Sequence, residues 1–136
     1  MSNIRLKFYL SLLTAFVVIM VNHFANFYQI YWLLPWFDVP VHIAGGFMVG
    51  LFAQTGLDYL NIRKNRILFI SLFVILVGVG WELVEWYLGN TDGLGPLSKI
   101  NTIKDIIDDI IGGVLSIWFW HFIFNKTKNT KIHDKQ

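Results

Sequence analysis

Two glutamates, three positions apart, stand inside an apolar stretch of the sequence that is long enough to cross a membrane. At this spacing Glu82 and Glu85 share one face of a helix. An ionised side chain near the middle of a spanning helix costs about 2.5 to 3.5 kcal/mol on insertion scales. Neither glutamate has a capping or ion-pairing partner in the neighbouring sequence. We therefore expect this pair to serve a function.

Other residues that can bind a cation are predicted at the same height of the bundle. The full candidate set comprises Asp38, His42, Glu82, Glu85, Asp105 and Asp109. Carboxylate oxygens with an imidazole suit Mg²⁺, Mn²⁺, Ca²⁺, Zn²⁺ or Fe²⁺, and a chain without cysteine offers no thiolate for Cu(I). The pattern predicts a divalent-cation site. If the protein is an enzyme, Glu82 or Glu85 is the expected general base.

The charges at this level do not balance. Six of the nine acidic residues lie there, namely the five carboxylates of the candidate set and Asp108, with only Lys99 and Lys104 as nearby cations. Such a group cannot remain fully ionised without compensation. Either some of the carboxylates carry protons, or a divalent cation neutralises them.

Structural roles are alternatives for several of these residues. Asp38 precedes Val39 and Pro40 as an N-cap would. Asp105 follows Thr102 at the spacing of a capping box, and Lys104 can pair with Asp108 at i, i+4. A lone histidine such as His23 is more often a hydrogen-bonded interior residue than a ligand.

The elements that must position these side chains are four apolar stretches in a chain of 136 residues that is 55 % hydrophobic and 15 % charged. Helices need roughly 20 residues to cross about 30 Å of hydrocarbon. The sequence predicts an all-α, integral membrane four-helix bundle formed by residues 1–125. Its helices are expected at about 6–28, 39–57, 67–88 and 102–124, with a Gly/Pro/Asn-rich loop at 89–101 and a basic tail at 126–136.

The distribution of lysine and arginine predicts the orientation, because cytoplasmic loops retain positive charge. Nine basic residues fall on one side: Arg5, Lys7, Arg63, Lys64, Arg66, Lys126, Lys128, Lys131 and Lys135. Only Lys99 and Lys104 fall on the other. Both termini are therefore expected in the cytoplasm, in the cell membrane of a bacterium or archaeon. Aromatic side chains, among them Tyr31 and Trp120, are expected at the two membrane interfaces.

Small residues continue each acidic face toward the other end of the bundle. They are Gly45, Gly46 and Gly50 in the second helix, Gly78 in the third, and Gly112, Gly113 and Ser116 in the fourth. Close helix packing in lipid uses such residues, so the charged faces should point into the bundle. Helix one is expected to add Asn22, His23, Asn26 and Gln29. The cytoplasmic half is expected to be apolar, without polar residues that continue a path.

At these residues the chain resembles the YjdF-like inner-membrane proteins and, more distantly, the VanZ-like membrane proteins. The resemblance rests on the segment from Phe37 to His42, on Trp81 to Trp86, and on Asp105 to Gly113. It implies that the family's acidic and histidine positions correspond to Asp38, His42, Glu82, Glu85, Asp105 and Asp109. It implies no particular activity.

Three functions follow as hypotheses. The first is a membrane metalloprotein, which as an enzyme would act on a lipid or lipid-linked substrate. The second is a small transporter or proton-coupled component, since carboxylates within membranes also mark ion pathways. The third is an accessory subunit whose acidic patch meets a cationic partner. The lipid bilayer is the expected partner in each case, a homo-oligomer is an open alternative, and a formal charge of +2 gives no reason to expect nucleic acid.

Overall fold

The computed structural model describes the backbone of residues 2–88 and 96–133, and the side chains of residues 4–87 and 101–123. Within these ranges the chain forms helices and no strand. The helices are α1 (Ser2–Phe27), α2 (Ile30–Leu33), α3 (Asp38–Tyr59), α4 (Arg66–Leu88) and α5 (Pro96–His133). A 3-10 turn, Pro35–Phe37, leads directly into α3.

Four of these helices are long and apolar enough to cross a membrane. The spans are Ile4–Phe27, Pro35–Tyr59, Arg66–Tyr87 and Asn101–Ile123. Their outer faces carry large exposed apolar side chains such as Phe16, Leu76 and Val114. In water such a surface would be unfavourable, whereas in a bilayer it faces hydrocarbon. The predicted all-α membrane fold with four spans is confirmed.

The last helix is longer than the sequence suggested. It begins at Pro96 rather than at residue 102, so residues 96–101 belong to the helix and not to the expected loop. Proline suits the first turn of a helix, where its missing N–H has no partner to lose. The helix also continues to His133, through most of the segment expected as a tail. Residues 89–95 and 134–136 of these two predicted segments lie outside the described residues.

Helix α3 is the centre of the bundle. It packs against α1, α4 and α5, and its contact with α5 is the most extensive. Helix α4 also packs against α5. In contrast, α1 makes no comparable contact with α4 or α5 in the described part of the chain. The position of α1 in the bundle is therefore set mainly by α3.

Glycines allow the backbones of α3 and α5 to touch. A Cβ atom at Gly46 would overlap the carbonyl group of Asp109, and one at Gly112 would overlap the carbonyl oxygen of Ile43. A Cβ atom at Gly50 would meet the Ser116 hydroxyl. The predicted packing role of these small residues is confirmed for this pair of helices.

One end of the bundle carries a group of ion pairs, and we call it the basic end. Asp58 lies between Lys7 and Arg66, with each cation 2.7 Å from one of its carboxylate oxygens. The Lys7 ammonium also lies 4.3 Å from the centre of the Trp120 ring. Trp120 was expected at a membrane interface, but only 8 % of it is exposed, because this contact and its neighbours enclose it. The group ties α1, α3, α4 and α5 together.

The prediction of an apolar half-bundle at this end was wrong. Gln54 donates a hydrogen bond to the Ser116 hydroxyl at 3.1 Å, and the Ser11 and Thr55 hydroxyls lie 3.2 Å apart. All four residues are buried. Each also has a carbonyl oxygen of its own helix within donating distance, three or four residues earlier, and one of the Ser11 and Thr55 hydroxyls can give its single proton either to that carbonyl or to the other hydroxyl. Such self-satisfied side chains fit inside a membrane protein and join neighbouring helices.

The glycine contact can be tested by adding one methyl group. We expect Gly112→Ala to lower the stability of the bundle by about 1 to 3 kcal/mol, because α3 and α5 must move apart. Gly80→Ala is the matched control, since no atom lies within 4 Å of its added Cβ. Thermal unfolding in detergent measures both. Equal melting temperatures for the two variants would contradict the contact.

Candidate functional site

The end opposite to the basic end carries six carboxylates, and we call it the acidic end. They come from three helices: Asp38 from α3, Glu82 and Glu85 from α4, and Asp105, Asp108 and Asp109 from α5. The three aspartates of α5 are all buried, at 3 to 8 % exposure. The structure therefore brings the predicted acidic residues together and turns those of α5 inward.

His42 stands at the centre of the acidic end and is 6 % exposed. Its Nδ1 atom lies 3.4 Å from Oδ1 of Asp109, and its Nε2 atom lies 3.4 Å from Oδ1 of Asp38. Oδ1 of Asp105 is slightly farther from Nε2, at 4.0 Å. Carboxylates on both sides fix the plane of the imidazole ring.

Two sets of possible ligands share His42. One set is His42 with Asp38 and Asp105, and the other is His42 with Glu82 and Glu85. In each set, one ligand atom from every residue lies within 4.8 Å of the others. Three converging donors at this separation can close around a small cation with little movement.

Lys104 lies beside one of these two sets and offsets part of its negative charge. Its Nζ atom lies 2.8 Å from Oδ1 of Asp105 and 3.6 Å from Oδ2 of Asp38. It also lies 3.6 Å from Oδ2 of Asp108, the i, i+4 pair that the sequence suggested. The ammonium group thus occupies the side of His42 that faces Asp38 and Asp105.

The glutamates of α4 have no such cation among the described residues. Oε2 of Glu82 accepts a hydrogen bond from the Thr102 hydroxyl at 2.8 Å, while its Oε1 is buried without a hydrogen-bond partner in the described part. Oε1 of Glu85 accepts one from Trp81 Nε1 at 2.8 Å. A buried carboxylate oxygen without a partner is costly unless a proton or cation completes it.

Gly78 makes room for the carboxylate of Asp109. A Cβ atom at this position would lie 2.6 Å from Oδ2 of Asp109. The absence of a side chain therefore lets α4 lie against the aspartate that contacts His42. Gly78 was predicted to belong to a packing face, and the group that packs against it is the Asp109 carboxylate.

The structural alternatives for two residues were wrong. The N-cap of α3 is Phe37, and Asp38 is already helical and makes no capping hydrogen bond, because the turn Pro35–Phe37 starts the helix earlier. Thr102 lies inside α5, which begins at Pro96, so it cannot form a capping box with Asp105. Its hydroxyl binds Glu82 instead.

Helix α1 contributes less than the sequence suggested. Asn22 is half-buried at the acidic end, but His23, Asn26 and Gln29 are exposed, and Asn26 donates a hydrogen bond to the Asn22 side chain from one turn away. The Asn22 side chain accepts a hydrogen bond of 2.6 Å from the Tyr31 hydroxyl. Polar groups from α3, α4 and α5 therefore form the centre of the site, and α1 reaches its edge.

Tyr31 is a member of the site that the sequence placed at the interface. Burial, reinforced by the negative charges of Asp38 and Glu85, raises the pKa of the Tyr31 hydroxyl to about 12. The hydroxyl keeps its proton at neutral pH and donates it to Asn22. Its spacing to Asp38 gave no periodic signal, because α2 and the following turn separate the two residues.

A lateral groove opens between α1 and α4 and leads to the acidic end. Val18 and Ile19 of α1 and Val77 of α4 form its walls, and Met48 and Val49 of α3 form its floor. At its polar end the lining residues include Asn22, Tyr31, Asp38, His42, Glu85 and Asp109. The groove encloses about 130 Å³. The site is therefore connected to the lipid-facing side of the bundle.

The state of Tyr31 can be measured by titration. As the pH rises from 10 toward 12, the protonated Tyr31 of the folded protein resists ionisation and stability falls. We expect part of the phenolate absorbance of the five tyrosines to appear only near pH 12, as a late portion of the titration curve, and we expect Tyr31→Phe to remove that part. A late portion that survives this substitution would place the buried hydroxyl elsewhere.

Comparisons with known proteins add the family and no activity. No curated protein and no solved structure matches the chain. The comparisons give no support to the more distant resemblance to VanZ-like proteins. A family model described as "Predicted membrane protein (DUF2238)" matches residues 2–126, which is nearly the whole chain. The resemblance to YjdF-like proteins is thereby confirmed, and the chain belongs to this family of membrane proteins.

Proposed function

We propose that the acidic end binds a divalent cation between His42, Glu82 and Glu85. The observation that supports this is the charge balance of the described residues: six carboxylates surround one lysine and one imidazole. Lys104 offsets one negative charge among the aspartates on its own side, which leaves the two glutamates of α4 with His42 and with no lysine or arginine among the described residues. A divalent cation there would also complete the partnerless oxygen of Glu82.

The surroundings of His42 favour ligation. A histidine that binds a metal commonly contacts a carboxylate through its other ring nitrogen, which fixes its tautomer and orientation. Both ring nitrogens of His42 have a carboxylate nearby, Asp109 at Nδ1 and Asp38 at Nε2, so whichever nitrogen binds the cation, a carboxylate lies at the other. Asp38 and Asp105 complete the predicted set on the far side, where Lys104 competes with a second cation. Oxygen donors with one imidazole leave Mg²⁺, Mn²⁺, Ca²⁺, Zn²⁺ and Fe²⁺ as candidates.

The chemistry proposed for this site is the hydrolysis or transfer of an ester or phosphoryl group on a lipid or lipid-linked substrate. A bound cation would polarise the oxygen under attack and lower the pKa of a bound water. A glutamate beside it can accept the proton of that water. Glu85 lines the groove and Glu82 is held by Thr102, so the two glutamates would divide these roles: Glu85 toward the substrate and Glu82 toward the cation.

A second candidate function has support of its own. The buried pairs Gln54–Ser116 and Ser11–Thr55 place polar groups between the acidic end and the ion pairs of Asp58. They weaken the objection that the other half of the bundle lacks polar groups. A proton-coupled or ion-conducting protein would produce cation flux in proteoliposomes, whereas a closed metalloprotein would not.

Metal binding is tested first. We expect purified protein to bind about one Mn²⁺ per chain, and we expect Glu82→Gln with Glu85→Gln to weaken binding by more than about tenfold, since two charged ligands are lost. Calorimetric titration measures the affinity, and elemental analysis measures the ion that the protein retains from the cell.

Histidine variants provide the matched comparison. His42→Gln should lose the ion as the glutamate variant does, whereas His23→Gln, on the exposed face of α1, should keep it. A wild-type protein that binds no divalent cation, or a glutamate variant that binds as tightly as the wild type, would overturn the proposal.

The orientation that we propose places the acidic end at the outer face and both termini in the cytoplasm. Because the chain contains no cysteine, single cysteines can report it without background. We expect an impermeant maleimide to label Trp36→Cys on intact cells and Arg63→Cys only after permeabilisation. Both positions are exposed, and the opposite labelling pattern would reverse the topology.

A further inference from the structure

We propose that the lateral groove holds one hydrocarbon chain of a membrane lipid, whose head group then lies against His42 and Glu85. The contact of the head group rests on the proposed function of the acidic end. The binding site for the hydrocarbon chain, which we call the chain site, is inferred from the groove itself: from its location, its length, its polarity and its volume.

The location of the groove determines what can fill it. Its walls continue into the outer surface, since Ile19 is 58 % exposed and Val77 is 37 % exposed. At the depth of these residues the surrounding medium is hydrocarbon and not water. An apolar cleft that opens sideways at this depth can be filled from the bilayer by a lipid chain, without passing through water.

The length of the groove corresponds to one leaflet. Its lining residues on α3 run from Asp38 to Val49, a rise of about 16 Å along the helix. The hydrocarbon core is about 30 Å thick, so each leaflet supplies roughly half of that. The groove ends near the middle of the membrane, where the chain of a lipid also ends.

The lining changes from apolar to polar along this length, as a lipid does. Val49, Val74 and Met48 lie at the deep end, whereas His42 and Glu85 lie near the surface. Trp81 stands at the rim, 44 % exposed, and donates to Glu85. Indole groups favour the level of the head groups, because they combine an apolar ring with a polar N–H.

The volume limits the occupant to a single chain. A cavity of about 150 Å³ can hold one benzene molecule, so the 130 Å³ of the groove corresponds to a segment of one chain. A second chain of the same lipid would stay in the bilayer beside α1 and α4. Lateral access of this kind brings the ester or phosphoryl group of the lipid to Glu85 without removing the lipid from the membrane.

A photoreactive lipid can map the groove. The probe is a phosphatidylglycerol with a diazirine in one acyl chain, present in vesicles of phosphatidylglycerol and phosphatidylethanolamine that contain the full-length protein. Mass spectrometry then locates the adducts. We expect adducts at Met48, which is half-buried on the groove floor, as well as at Val114, which faces bulk lipid on α5.

Two tryptophan variants separate the groove from the general lipid surface. Val77→Trp should reduce the adducts at Met48 by about tenfold, as expected when a chain loses contact for two methylene groups. Val79→Trp is the control, because Val79 has nearly the same exposure, 39 %, but does not line the groove. Adducts at Val114 should be the same in both variants.

The outcomes distinguish the chain site from the cation site. A wild-type protein without adducts at Met48, or equal loss in both tryptophan variants, overturns the chain site. Val77→Trp should bind Mn²⁺ in detergent as the wild type does, because the residue is not a proposed ligand. If Met48 is labelled in the expected pattern but no divalent cation binds, the chain site stands and the proposed function falls.

Discussion

The direct contact between the backbones of α3 and α5 is the constraint on which the acidic end depends. Gly46 faces the carbonyl group of Asp109, so the residue that allows the approach is one turn from His42 and touches the aspartate that His42 requires. In lipid no hydrophobic force draws helices together, and packing and polar contacts must do so. The same contact therefore stabilises the bundle and assembles its charged residues.

The charges follow from this geometry. Once α5 lies against α3, Asp109 lies at Nδ1 of His42 and Asp105 lies near Nε2, and α4 brings Glu82 and Glu85 to the same ring. Lys104 lies on the α5 side and cannot serve both groups, because its ammonium is already shared among aspartates. Among the described residues, the aspartate side thus has a lysine and the glutamate side has none, and this asymmetry follows from the arrangement of three helices.

Much of this arrangement could be predicted from the sequence, because the membrane makes charge unfavourable and hydropathy easy to recognise. Four spans and the convergence of carboxylates on His42 follow from that penalty. Contacts that leave no period in the sequence were missed. Lys104 of α5 contacts Asp38 of the neighbouring helix α3. Tyr31 lies in the short helix α2, which the turn Pro35–Phe37 separates from Asp38. Gln54 and Thr55 were missed for a different reason: both are uncharged and hydrogen-bond to their own helix, so their spacing predicts no partner on another helix.

Helix α1 explains why a site so enclosed by charge can still be reached from the membrane. Lys7 and Ser11 join α1 to α3 at the basic end, and Asn22 is bonded to Tyr31 at the other. The link between α1 and α4 that these contacts provide runs through Asp58 at the basic end, so among the described residues the width of the groove is not fixed by packing between its two walls. A chain that enters there replaces bilayer contacts of Ile19 and Val77 with similar contacts, and it disrupts no interface between helices. The bundle can therefore keep α3, α4 and α5 closely packed around the charges while the side toward α1 stays accessible to lipid.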